Sequence, residues 1–494
     1  MIAGHFFRRT TASVPRRRRS TTAQATPFRI DLGCRTIIGP LFALIAVSAC
    51  SAPPPTTTLS FDGLGTLIDV TLWQQTSIET AQLIELERNL RDIATHWHAT
   101  AHAWHTGPTT DASANLRAGE WFAPEPSVAE LLTRALEIAA QSDGAFDPSI
   151  GEATATYGFH ETPPNPRQPS ESWLATWQKS PPSFAAIEQK NDDGANNGSG
   201  DIATKRRNTF RGHHPRLALD FGGIAKGAIG QAMVETLAAQ GRPAALISLG
   251  GDLMLYGRPG DRDWRIALRA PIGPPLPPST CSTQTRSAHK ASSPTTKTDQ
   301  STSLIGHFVL PATSAAKPHA LFTSGVYERG GWVKDSFGHC RWIHHLIDPA
   351  RGAPTEGVRA ATVWHDDPVL ADAAASALII AASRALRASS INACSEQGRT
   401  DQQQDTSPRS DDTHSSQSAS NDATTSSKND PVIELATRLG LTHWLVVYDD
   451  GRILATTLRS GGVGQESTED WFVPHPTIAD RIEWIVASHH DDQA

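Results

Sequence analysis

The chain has 494 residues, 38% of them hydrophobic and 19% charged, with 37 Gly and 34 Pro. That is a globular, loop-rich composition, long enough for one large domain with insertions or for two to three ordinary ones. The formal net charge is −7, and the first 35 residues hold eight Arg, no Lys and one acid, Asp31. The remainder is therefore strongly acidic, which excludes nucleic acid as a partner.

In chain order, the basic stretch leads into an apolar run, TIIGPLFALIAVSAC, that ends at Cys50. The run is short for a bilayer span, and a basic segment before it describes a secretory signal over residues 1–49. Val47-Ser48-Ala49-Cys50 is similar to the bacterial lipobox, so Cys50 is the expected lipidation site. The implied localisation is the periplasmic face of a bacterial membrane, the chain held there by lipid; a short uncut anchor is the alternative. Residues 50–60 follow as a Pro/Thr tether. The few remaining cysteines, Cys281, Cys340 and Cys394, make no disulfide framework.

Folded sequence is expected from residue 61 to the end. Leu83, Leu86, Leu90 and Ile93 recur at helical spacing within Ser77–Thr95. A second helix is expected to open at Ser127, with Glu130 completing a capping box, and to close at Gly144 in a left-handed cap. RLALDF, AALISL and WRIALR read as strands, and THWLVVYDDGRILATT as a hairpin turning at Asp450-Gly451. Ala225–Gln240 reads as a helix with Ile229, Met233 and Leu237 on one face. Residues 278–303 and 395–431 contain no Val, Ile, Leu, Met or aromatic residue and are expected to be disordered insertions; Asn191–Asp201 reads as a further loop. Helices flanking antiparallel strands indicate an α+β fold in one interrupted domain.

Three stretches carry chemistry. LDFGGIAKG places Gly222, Gly223 and Lys226 at a helix start, where backbone N–H groups and an ammonium suit a phosphate. It matches neither a P-loop nor a dinucleotide fingerprint, and a tight packing turn is the plain alternative. In PVLADAAASALIIAA, Asp372 and Ser376 stand one helical turn apart, a plausible oxygen pair for Mg²⁺, or simply an acid favoured early in a helix. In TSGVYERGGWVKDSFGHCRWIHHLIDPARGAP, His345 precedes a turn at Asp348-Pro349 and is either a general base or a structural donor.

Taken with SDGAFDPSIG, ALISLGGDLMLYG and WRIALRAP, these pieces in this order resemble the FAD:protein FMN transferases, the ApbE-like flavin transferases, over roughly Phe61 to Ala382. The resemblance implies an enzyme that uses Mg²⁺ to move FMN from FAD, its substrate, onto a Thr hydroxyl of an acceptor flavoprotein, releasing AMP. It implies FAD contacts at Asp220 and Lys226, and a flavin site lined by Ala145, Phe146, Asp147 and the backbone of Ile347. It implies Mg²⁺ on Asp372, Ser376 and the carbonyl of Gly223, with His345 as the base for the acceptor hydroxyl. Ser376 stands where the family usually has Thr, and Tyr157 where it usually has Trp. An FAD pyrophosphatase, or a flavin- or metal-binding lipoprotein without turnover, are the rival readings. His96, His98, His102 and His105 are the residues a zinc site would use.

Overall fold

In the computed structural model, the described residues are 56–63, 65–73, 78–192, 207–271, 273–278, 304–335, 338–403, 430–457 and 471–486. The signal segment, Cys50 and most of the expected insertions lie outside them. Eight helices occur among the described residues: α1 (Thr80–Ala101), α2 (Pro108–Ala118), α3 (Pro126–Gln141), α4 (Gly151–Thr156), α5 (Glu171–Lys179), α6 (Ala225–Ala239), α7 (Pro368–Gln403) and α8 (Pro431–Arg438).

Nine strands lie side by side in chain order: Thr56–Gly63, Thr66–Trp73, Ala244–Leu249, Asp252–Tyr256, His319–Gly325, Val358–His365, His443–Tyr448, Ile453–Thr457 and Ile482–Val486. Neighbours are antiparallel until the last pair, which is parallel. Alternate side chains point to opposite faces. Ala320 and Phe322 therefore join the core under the helices, while Leu321 between them faces a second core. That second core is closed by a three-stranded sheet of Phe472–Pro474, Leu304–Leu310 and Trp264–Arg269.

Helices α1, α3, α6 and α7 cover the first face. Ile229, Met233 and Leu237 of α6 are fully buried there, each contributing on the order of 1.5–3 kcal/mol. Asp367 caps α7, its Oδ1 accepting from Val369 N and Leu370 N at 3.0 Å each. Pro368–Ile391 is apolar and long enough to cross a membrane, yet most of it is buried inside the protein as a core helix. α6 and α7 meet closely at Gly227, where a Cβ would lie 2.3 Å from Pro368 O. No side chain larger than hydrogen fits.

Several expectations hold: the strands at 244–249 and 264–269, the helix from Ala225, the hairpin at Asp450-Gly451 (Gly451 φ +89°), and Gly144 in the left-handed region at φ +65°. Others are corrected. Among the described residues, folded sequence begins at Thr56, not at 61: the Thr-rich end of the expected 50–60 tether pairs with Asp69–Trp73 as part of the first strand, where β-branched residues fit a pleated sheet. α3 begins one residue before Ser127 and is capped by Glu125, whose carboxylate accepts from Ser127 N (2.9 Å) and Val128 N (3.2 Å); Pro126 at the first helical position places Ser127 inside the helix. RLALDF is no sheet strand: it makes one isolated bridge, Ala218 to Ile150. α7 continues to Gln403, into the apolar-free segment expected to be disordered from 395, and α8 already starts at Pro431. Residues 404–429 and 279–303 lie outside the described residues. Cys340 is disulfide-bonded, although sequence spacing indicated no framework.

Candidate active site

The site forms where the Gly222-Gly223 turn, the start of α6, one face of α7 and the segment 344–348 converge. Asp220 shapes the turn: its Oδ1 accepts from Gly222 N at 2.8 Å and its Oδ2 from Thr154 Oγ1 at 2.9 Å. A short Asp side chain bonding the backbone two residues on is the usual way to hold such a bend. Beyond it, a Cβ on Gly223 would lie 3.3 Å from the Phe146 ring and 3.9 Å from Ser376 Oγ. The bare backbone at 223 thus sits against both the expected flavin wall and the expected metal hydroxyl.

Asp372, buried on α7, accepts from Gly227 N at 3.0 Å and also from the Lys226 N–H. It therefore caps α6 from a neighbouring helix; Ile224, at the N-cap position, supplies no side-chain bond. Burial pushes the Asp372 carboxyl up to about 7, with the charge of Asp252 adding and Lys226 opposing. Lys226 reaches across to Asp252 as an ion pair. Burial works against its charge, but Asp252 and Asp372 outweigh that and hold the ammonium above its ordinary pKa. Asp252 is buried and also accepts from Thr323 N at 2.8 Å. One turn along α7, Ser376 Oγ is 2.8 Å from Ser324 Oγ.

His345 is half-buried, and both its backbone N and its Nδ1 lie 3.2 Å from Arg329 O. A carbonyl only accepts, so Nδ1 carries the proton and Nε2 is left as the basic nitrogen. Burial, then the charges of His344, Arg329 and Lys226, push its pKa down to about 3, so the ring is neutral at pH 7. His344 is different. It is buried at 4% exposure with Nε2 bonded to Thr355 O (3.0 Å), and burial drives it to about 4. It faces away from His345 as a packed core residue.

The expected flavin wall is assembled by structural bonds. Buried Asp147 accepts from Ser149 N (2.9 Å), Ser149 Oγ (2.5 Å) and Phe184 N (3.0 Å), and burial still raises its pKa. Its carboxylate is occupied in holding the loop that presents Ala145 and Phe146. Arg384 of α7 donates to Asp348 (Nη2 to Oδ1, 2.7 Å) and to Gly144 O (3.4 Å), tying that loop to the segment carrying Ile347. Ile347 is buried and packs in the cluster of Tyr157 and Trp177.

All the expected site residues except Cys50, which lies outside the described residues, thus fall in this one region. Sequence reasoning passed over Asp252 and the Arg329 carbonyl; the hydroxyls of Thr323-Ser324-Gly325 stand out in the sequence, and Ser324 is the one that reaches Ser376. Asp252 stands inside a quoted motif, GGD, so an acid at a strand end was a usable signal. The histidines at 96–105 do not make a metal site: His102 and His105 rings stack at 3.8 Å, and His102 Nδ1 accepts from two backbone N–H groups. No group of three ligating side chains occurs among the described residues.

The ApbE family model matches residues 64–393. FAD:protein FMN transferase of Rhodobacter capsulatus is 28% identical over 339 residues, covering 68% of this chain and 53% of that protein. The protein of the same name from Treponema pallidum is 25% identical over 285 residues, covering 54% and 64%. The chain thus spans about half the length of the first relative and under two thirds of the second. Among solved structures, the ApbE protein of Thermotoga maritima aligns with TM-score 0.54 at 18% identity, covering 81% of this chain and 96% of its own. Flavinyl transferase ApbE of Pseudomonas stutzeri gives 0.53 at 18%, covering 82% and 94%. These likenesses bear on fold alone, while the family match spans most of the chain. With its α+β architecture and its ordered site motifs, this chain belongs to the ApbE family.

Proposed function

We propose that this protein transfers the FMN moiety of FAD to a threonine hydroxyl of an acceptor protein in an Mg²⁺-dependent reaction that releases AMP. The observation that carries it is the placement of an oriented, neutral His345 within electrostatic reach of Lys226, whose helix start is held by Asp372. Lys226 and the α6 N-terminus bind the pyrophosphate. His345 Nε2 takes the proton of the attacking hydroxyl. A ring with pKa about 3 is a weak base; burial is the main cause, and a bound pyrophosphate offsets only the part that comes from neighbouring Arg329 and Lys226.

The residues fit a hard cation. Asp372, Ser376 and the Gly223 carbonyl form an all-oxygen set, and Gly223 has no side chain to fill the space beside Ser376 Oγ. When bound, Mg²⁺ supplies charge neutralisation on the phosphate oxygens. Phe146 gives the flavin an apolar wall, and the buried Tyr157–Trp177–Ile347 cluster supports the neighbouring segment from behind. Export and a lipid anchor at Cys50 belong to the same proposal. The disulfide on Cys340 supports an oxidising compartment.

The test is to incubate the purified chain with FAD, MgCl₂ and candidate exported flavoproteins. AMP release should match acceptor labelling, scored by in-gel flavin fluorescence. Free FMN and AMP without labelling would indicate a pyrophosphatase, and no AMP release would remove the transferase reading.

A further inference from the structure

We infer that the side chain of Arg329 is a further catalytic residue: a second cation that contacts the pyrophosphate of FAD beside Lys226 and takes up the charge passing to the departing AMP. The inference deepens the proposed flavin transfer and rests on it.

The geometry comes from the hairpin that carries His345. Strands Gly330–Lys334 and Cys340–His344 pair antiparallel with Gly330 opposite His344. One step further, Arg329 stands opposite His345, and His345 N donates to Arg329 O at 3.2 Å, continuing the ladder. Residues directly opposite in an antiparallel pair project from the same face, with Cβ atoms about 5 Å apart. Arg329 therefore projects from the same face of the hairpin as His345, opposite to that of buried His344. It is exposed, and it makes no ion pair among the described residues. Its positive charge acts on both His345 and Lys226. Lys226 spends its ammonium on Asp252. Arg329 brings positive charge to this site without a carboxylate partner of its own among the described residues.

The reaction needs such a cation. The acceptor oxygen forms a bond to the flavin-side phosphorus as that phosphorus releases the bridging oxygen. The bridging oxygen leaves with the bonding pair on the AMP phosphate, and the hydroxyl proton passes to His345 Nε2. Negative charge thus grows on AMP while positive charge grows on the imidazole. A planar guanidinium offers two parallel donors to phosphate oxygens, which a lysine cannot.

The experiment compares wild type with Arg329→Ala, Arg329→Lys and the adjacent control Glu328→Ala, titrating FAD and riboflavin by flavin fluorescence and following AMP release with Mg²⁺ and a labelled acceptor. Arg329→Ala should weaken FAD binding on the order of tenfold and slow AMP release by roughly 10- to 10²-fold, as expected for loss of a charged hydrogen bond. Riboflavin, which lacks phosphate, should bind unchanged, and Arg329→Lys should recover part of both losses. Glu328→Ala should behave as wild type. Equal weakening of FAD and riboflavin would make Arg329 a structural residue and overturn the inference, as would wild-type behaviour of Arg329→Ala. Failure of wild type itself to bind FAD or release AMP would instead defeat the underlying transferase reading.

Discussion

The two ends of the site hold the same kinds of residue in opposite states. At the flavin end, Asp147 and Asp348 are saturated: Asp147 by Ser149 and Phe184, Asp348 by Arg384 and by Ala350 N at 3.0 Å. At the pyrophosphate end, Asp372 and Asp252 share one lysine, and burial has pushed Asp372 well above the usual carboxylate range. The histidines differ in burial rather than in bonding: His344 is packed and bonded at Nε2, its buried Nδ1 without a hydrogen-bond partner among the described residues, while half-buried His345 is oriented at Nδ1 with Nε2 left over. At one end the carboxylates spend their bonds on backbone donors and an arginine that hold loops in place. At the other they crowd a buried lysine, and buried groups perturbed in that way mark a candidate functional site.

Substitutions can break this contrast. The largest effect is expected from Asp372→Asn, which keeps an acceptor for the α6 N–H groups but removes the charge a cation needs. Transfer should fall on the order of 10³-fold while the protein remains folded, measured as AMP release across an Mg²⁺ titration. Full Mg²⁺-dependent turnover in this variant would put the metal elsewhere. His345→Ala should slow transfer by roughly 10²-fold at saturating FAD and change FAD affinity much less. A loss confined to FAD affinity would make His345 a binding residue only.

At the other end, effects should appear in stability. The folded pKa of His344, about 4, lies below its ordinary 6.5, so the unfolded chain takes up the proton first as pH falls. This contribution is intact above pH 6.5 and is lost down to about pH 4, amounting to about 3 kcal/mol. His344→Gln should flatten the fall in denaturation midpoint across that window; an unchanged pH profile would mean the ring is not buried neutral. Asp147→Asn turns one acceptor toward a backbone donor at Ser149 or Phe184, and should cost about 1–3 kcal/mol in urea unfolding while the rate at saturating FAD holds. The smallest effect sharpens the metal end: Ser376→Thr keeps the hydroxyl and should leave the rate within about threefold. A large loss there would show that the added methyl cannot be accommodated beside Gly223 and Phe146.

What the sequence made legible follows the same division. The Gly222-Gly223 turn, the α6 start, the Asp372–Ser376 pair and His345 are all short-range patterns, readable because spacing within a few residues determines which groups share a face. The partner of Lys226 was not legible, because Asp252 lies 26 positions away and arrives through strand pairing. Nor was the group that orients His345, since a backbone carbonyl leaves no mark in composition. The cap of α3 was misplaced for a local reason: Ser127 looks like a cap, but Pro126 already satisfies the first helical position and Glu125 reaches back to the freed N–H groups. The extended run RLALDF has a strand's composition without a strand's neighbours, and composition cannot tell the two apart.

In the proposed mechanism the carboxylate of Asp372, bonded to the first turn of α6 while belonging to α7, does two jobs with one set of atoms. A longer side chain at this position would carry the ligand forward and leave the helix uncapped; a shorter one would abandon both. The adjacent contact of Gly227 with Pro368 prevents either helix from sliding to compensate. In that mechanism one carboxylate ties the packing of two helices to the placement of a ligand, so a change there is expected to register in stability and in turnover at once.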